Sequence, residues 1–212
     1  MAHYDLEEQE QIASLQTWWK MYGNQVTGVV VAASLSVIGW QSWNWYQRSQ
    51  TAQASAIYAV LEQAVAAGDA QKVKTAAGEL AEKFGRTSYA ALGAMLAAKQ
   101  SFTAGDLKTA HAQLSWAADN GKDELKDIAR LRLVAVQLDE KAYDEALKQL
   151  EVAHAAAFDG RFLELKGDVL VAQGKKAEAR AAYRAALDKA GQKAGAAREL
   201  LQQKLDSLGE AA

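Results

Sequence analysis

The sequence predicts an all-α chain in which a single N-terminal transmembrane helix precedes a solenoid of helical hairpins. Three observations carry this. No Asp, Glu, Lys or Arg stands between Lys20 and Arg48, so residues 21–47 form an uncharged window of 27 residues. Downstream, turn signals recur at nearly constant intervals: Gly68-Asp69, Gly105-Asp106, Asp139-Glu140-Lys141 and Gly174-Lys175. The chain has no Pro and uses Ala heavily, which favours helix because Ala is the best helix former and Pro the worst. Period-two runs of Val, Ile, Tyr and Phe, the mark of strands, are missing.

Residues 1–20 read as an acidic, amphipathic tail carrying Asp5, Glu7, Glu8 and Glu10. Ile12, Leu15, Trp19 and Tyr22 recur at spacings of three and four, one face of a helix. Two readings stand: a helix lying on a membrane surface, or a polar tail with a few aromatics.

Residues 21–47 read as the transmembrane helix. About 20 apolar residues cross the hydrocarbon layer, and a helix satisfies its own backbone hydrogen bonds there. Trp18, Trp19 and Tyr22 crowd one end, and Trp40, Trp43, Trp45 and Tyr46 the other. Such rings are expected at the two membrane–water interfaces, where an apolar body and a polar N–H or O–H both find partners. The length argues against a core helix of a soluble protein. The lack of a basic leader and of a small-residue cleavage site argues against a signal peptide. Lys20 on one side and Arg48 on the other leave orientation undecided by charge. Gly28, Ala32 and Ser36, four apart on one face, would let a neighbouring membrane helix approach closely. The plainer reading is that Gly, Ala and Ser are common in spans.

Residues 48–212 read as one repeat domain, with 23 Lys plus Arg against 22 Asp plus Glu. That balance argues against nucleic acid, which needs a basic surface. The absence of Cys excludes disulfides, Cys-ligated zinc and thiol catalysis. Helices are expected to pair as 50–67 with 70–84, 87–103 with 107–119, 123–138 with 143–156, and 160–173 with 176–190. A repeat of about 34 residues built from helix, turn and helix is the tetratricopeptide signature. Alignment on a small residue early in each second helix gives Ala110, Ala146 and Ala179. Four residues on come Leu114, Leu150 and Tyr183, and three further Ala117, Ala153 and Ala186. The first helices fit less well. Leu163, Gly167 and Leu170 suit the pattern, whereas Arg130 stands where a large apolar residue is usual. The unit around Leu61, Val73, Ala77 and Leu80 is weaker again. A helix from about Gly195 to Leu208, with Leu200, Leu201, Leu205 and Leu208, would cap the last repeat.

Catalytic chemistry has no candidate residues. His3, His111 and His154 have no companion at metal-ligand spacing, so no metal, cofactor or catalytic site is expected. Pairs such as Asp123-Glu124 and Asp144-Glu145 sit at helix starts, where they complement the helix dipole. Binding is expected at the small-residue face of the span or along the concave face of the solenoid.

With these features assembled, the chain resembles the YfgM family, ancillary subunits of the bacterial SecYEG translocon. The resemblance rests on Glu8-Gln9-Glu10-Gln11-Ile12 with Trp18-Trp19-Lys20, and on Tyr22-Gly23-Asn24 entering a span that ends in Ile38-Gly39-Trp40. Near the C-terminus it rests on residues 162–170, from Phe162 to Leu170, and on 174–183, from Gly174 to Tyr183. It implies a non-enzymatic protein of the inner membrane, with a cytoplasmic N-tail and a periplasmic repeat domain. The implied partners are the translocon, a membrane-anchored periplasmic chaperone of the prolyl isomerase-like kind, and exported proteins. The repeats by themselves equally suit a scaffold of another envelope machine, such as cell division or outer-membrane assembly.

Overall fold

The computed structural model describes residues 6–190 and 195–209. Asp5 and His3 of the N-tail, and residues 210–212, lie outside them. The chain divides into two compact units, Met1–Ser49 and Gln50–Ala212.

The first unit is helix throughout its described length. It belongs to α1, Leu6–Ala66, a helix of 61 residues. The amphipathic stretch, the apolar window and the first repeat helix are thus segments of one element rather than three. Ile12, Leu15, Trp19 and Tyr22 are all exposed. No Gly–Pro signal or charged cap interrupts the run, and side-chain hydroxyls inside it bond to their own helix, as Ser34 Oγ to the Val30 carbonyl at 2.8 Å.

The second unit begins with the last turns of α1. It continues through α2 (Ala70–Phe84), α3 (Ser88–Thr103), α4 (Leu107–Asn120), α5 (Glu124–Asp139), α6 (Tyr143–Leu150), α7 (Asp159–Ala172), α8 (Lys176–Ala190) and α9 (Ala196–Ser207). No strand occurs among the described residues. Each turn is set by local chemistry. Gly68, Gly105 and Gly174 adopt φ of 69°, 80° and 77°, the left-handed region where a side chain is costly. Asp69 and Asp106 then cap the next helix, accepting from the Lys72 and Thr109 amides at 3.0 Å. The third turn has Lys141 at φ 59° in the glycine's place.

The core passes from hairpin to hairpin, as expected where each repeat buries its apolar face on its neighbours. Leu61, Val73, Ala77, Leu80 and Ala90 form its start. Met95, Ala110, Leu114, Ala129 and Leu133 continue it, then Val134, Ala146, Leu150, Phe162 and Val169, and finally Tyr183, Ala186, Leu187 and Leu201. Ala110, Ala146 and Ala179 are fully buried, and Leu114, Leu150 and Tyr183 nearly so. Trp116, the one Trp outside the N-terminal region, packs on the first two clusters together. Gly167 permits the closest approach: a Cβ there would lie 2.3 Å from the Tyr183 ring.

One expected helix is corrected. The helix expected over 143–156 stops at Leu150, and a 3-10 turn at Ala156–Phe158 leads into α7. Ala153 is therefore exposed and outside any helix, not the small packing residue the alignment made it. The cause is long-range. The Ala155 amide donates to Asp127 Oδ2 at 2.9 Å, and His154 stacks flat on Phe162 with centroids 3.7 Å apart. The same buried Asp127 pairs with Arg130 at 3.3 Å, which accounts for a cation where the pattern expects an apolar side chain.

Candidate docking surfaces

α1 is long and apolar enough to cross a membrane, and the apolar stretch that qualifies it is wholly unburied. At 1.5 Å per residue, Trp19 and Trp40 are about 32 Å apart along the axis, close to the ~30 Å hydrocarbon thickness. Trp18, Trp19, Trp40, Trp43 and Trp45 are all exposed. Trp18 packs on Tyr22 at 5.9 Å and Trp43 on Tyr46 at 6.1 Å, each making a two-ring platform at one end. Trp19 lies over Gly23, whose added Cβ would meet the indole at 3.1 Å.

Gly28, Ala32 and Ser36 are exposed on the same helix. A Cβ at Gly28 would touch nothing within 4 Å. Ser36 Oγ donates to the Ala32 carbonyl at 2.8 Å, so its hydroxyl is satisfied inside the helix. The face is flat and needs no polar partner.

In the second unit, α3 and α5, the first helices of successive hairpins, touch each other. Between them lies a groove of about 360 Å³. Met95 from α3, Leu114 from α4 and Val136 from α5 are its buried floor, and the exposed Phe102 stands beside them. Lys99 and Arg132, both exposed, flank this apolar surface. No carboxylate lines it, and neither cation has an ion pair among the described residues. A second recess, at the start of α5, is different. Asp123, Glu124, Lys126, Asp127 and Arg130 line it with both signs of charge, and Asp127 is already committed to Arg130 and Ala155.

The far end is closed by α9. Lys204 Nζ donates to Glu164 Oε1 and to both Asp168 oxygens at 2.8 Å. Tyr183 Oη donates to Asp168 Oδ1 at 2.7 Å, and Arg161 pairs with Glu164. Glu164 is 5% exposed, so these partners offset the cost of burying its charge. Burial holds the Tyr183 hydroxyl well above its ordinary pKa, and the hydrogen bond to Asp168 adds to that. This cluster fastens the cap to α7 and α8.

The histidines take structural places. His111 Nδ1 lies 2.6 Å from Glu140 Oε2, tying α4 to the turn after α5. His154 lies between Phe162 and Asp159. Among the described residues no group of three or more His, Asp or Glu is placed to hold a metal ion.

Sequence reasoning named the span residues but missed the groove. Lys99, Phe102 and Arg132 come from helices some 30 positions apart, and each reads alone as a solvated position. Arg132 carries the better signal, being the last charge before the apolar run Leu133-Val134-Ala135-Val136.

Residues 16–210 match the family described as tetratricopeptide repeat-like domain. The chain is 34% identical over 205 residues to a protein of Neisseria gonorrhoeae named ancillary SecYEG translocon subunit, covering 96% of this chain and 98% of that one. A Haemophilus influenzae protein of the same name is 33% identical over 181 residues, 85% of this chain and 88% of its own. One from Escherichia coli is 29% identical over 202 residues, 95% and 96% respectively. No solved structure matches the chain.

Proposed function

We propose that this chain, which belongs to the family of ancillary SecYEG translocon subunits, is itself a non-enzymatic accessory of the translocon. Residues 21–47 cross the bacterial inner membrane once. Residues 1–20 are cytoplasmic, and residues 48–212 are a periplasmic docking domain serving chaperones and exported proteins. The carrying observation is that the likeness to translocon subunits runs through the apolar helix and the repeats alike. A tether and a binding array in one chain suit a protein that must act beside a membrane pore. Orientation follows the family resemblance, because Lys20 and Arg48 balance each other.

In this reading Gly28, Ala32 and Ser36 face a helix of the translocon or the anchor of a prolyl isomerase-like chaperone. Close packing between small residues is the main attraction available to helices in lipid. Trp18, Trp19, Trp40, Trp43 and Trp45 fix the depth of the span.

Site-specific photo-crosslinking in native membranes tests this. Probes at positions 28, 32 and 36 are expected to capture translocon or chaperone subunits, and probes at 29, 33 and 37 to capture mainly lipid. Replacing Gly28, Ala32 and Ser36 with Leu keeps insertion, since Leu is favourable in lipid, and weakens co-purification. Replacing Val29, Ala33 and Val37 with Leu is the control. Crosslinks solely to a division or outer-membrane assembly machine would overturn the assignment.

A further inference from the structure

We propose that the groove between α3 and α5 takes one large apolar side chain of an unfolded polypeptide segment, and that Lys99 and Arg132 pair with carboxylates flanking it. The proposal rests on the reading of this chain as a translocon accessory, which places it where unfolded chain emerges.

The floor decides the first half. The half-exposed Phe102 ring and the exposed Ala135 methyl offer the groove's apolar surface, over a nearly closed floor of Met95, Leu114 and Val136. At about 360 Å³ the groove lies at the small end of ligand sites, which run from about 300 to 1,000 Å³. It has room for a side chain or two, and none for a helix. An apolar side chain that leaves water for such a surface makes a weak, reversible contact suited to extended chain.

The rim decides the second half. Lys99 and Arg132 are the charges bordering the groove, they share one sign, and neither has an ion pair among the described residues. The mixed-charge recess beside Asp127 shows the contrast, since its own ion pair neutralises it. Long cationic side chains cover apolar surface with their stems and keep their heads in water. They would therefore frame an inserted ring and meet acids on either side of it. Rim charges of this kind speed the arrival of a complementary partner and weaken binding of a like-charged one.

The test uses the full chain in lipid nanodiscs and three fluorescent peptides of equal length. The first has one Phe flanked by Glu, the second has Phe flanked by Lys, and the third has Glu flanking Ser. In fluorescence anisotropy at low salt, the first is expected to bind about tenfold more tightly than either other. Lys99→Glu with Arg132→Glu should reverse the preference to the Lys-flanked peptide at unchanged helicity. Ala135→Trp, which fills the groove from an exposed position, should abolish binding of all three. Equal binding of the Glu- and Lys-flanked peptides overturns the proposal, as does an unchanged preference in the charge-reversed variant or undiminished binding by Ala135→Trp. The charge-reversed variant should still crosslink to the translocon through its span. Absence of a peptide preference in the parent, with its translocon crosslinks intact, defeats the groove alone. Absence of translocon crosslinks in the parent defeats the reading beneath it, whatever the peptides do.

Discussion

Gly167→Ala is a one-methyl change whose sign is set by competing effects. Helix propensity alone makes Gly to Ala in a helix interior stabilising by about 1 kcal/mol. At Gly167 the new Cβ would lie 2.3 and 2.4 Å from two carbons of the Tyr183 ring, where carbon atoms settle at about 3.5–4.0 Å. The ring must retreat by more than an ångström. Its hydroxyl then leaves Asp168, to which it donates at 2.7 Å. Overpacking costs about 1–3 kcal/mol, and the lost hydrogen bond about 1 kcal/mol more. After the propensity gain the net is a loss of about 1–3 kcal/mol. For a domain of this size that lowers Tm by about 3–10 °C. Thermal unfolding of residues 51–212, followed by far-UV circular dichroism, reads this out. Gly78→Ala is the matched control, because a Cβ at Gly78 meets nothing within 4 Å, and it should raise Tm. If both substitutions shift Tm in the same direction, the close approach of α7 to Tyr183 is refuted.

Other outcomes follow from the same packing. Residues 51–212 should give a monodisperse helical protein, since they lack the long apolar window; a strand-rich spectrum would refute the repeat assignment. Ala146→Leu and Ala179→Leu, at fully buried positions, should each cost about 1–3 kcal/mol by overpacking, read by urea titration. Lys141→Gly should stabilise by up to about 1 kcal/mol, because the left-handed backbone at φ 59° is cheap for glycine alone; an unchanged urea midpoint would count against that turn. Alkali should loosen the cap. Burial pulls Lys204 down, but its bonds to Asp168 and Glu164 carry it above its ordinary 10.5, and Tyr183 stands above its ordinary 10.0. Both folded values exceed the unfolded ones, so this stability is whole below about pH 10 and is lost as pH rises through the folded values. Lys204→Met should make the alkaline unfolding profile shallower.

What the sequence made legible was local. Glycine before aspartate marked the turns because a left-handed residue and a side-chain cap are both encoded within three positions. Small-then-large spacing marked the second helices because a helix face repeats every three or four residues. The end of α6 was hidden. Ala153 to Ala157 read as good helix, and what stops them is Asp127, almost 30 residues earlier, together with a ring on Phe162. The groove between α3 and α5 was hidden for the same reason, since its floor and rim come from three helices. The proposed face of Gly28, Ala32 and Ser36 and the Trp residues flanking the apolar window can be picked out by spacing alone, because their pattern lies on one helix.

The brevity of α6 bears on how the array comes apart. In a linear stack each repeat is steadied only by its neighbours, so cooperativity is no stronger than the weakest junction. With eight residues, α6 offers the helices on either side less surface than the other second helices do, and a non-helical segment follows it. The array is thus hinged thermodynamically at its third hairpin, with Asp127 as the latch. Amide exchange should sort into two blocks, one before α6 and one after, that open at different free energies. Weakening the latch with Asp127→Asn should leave the first block untouched while the second, with its sealed end, opens as a unit.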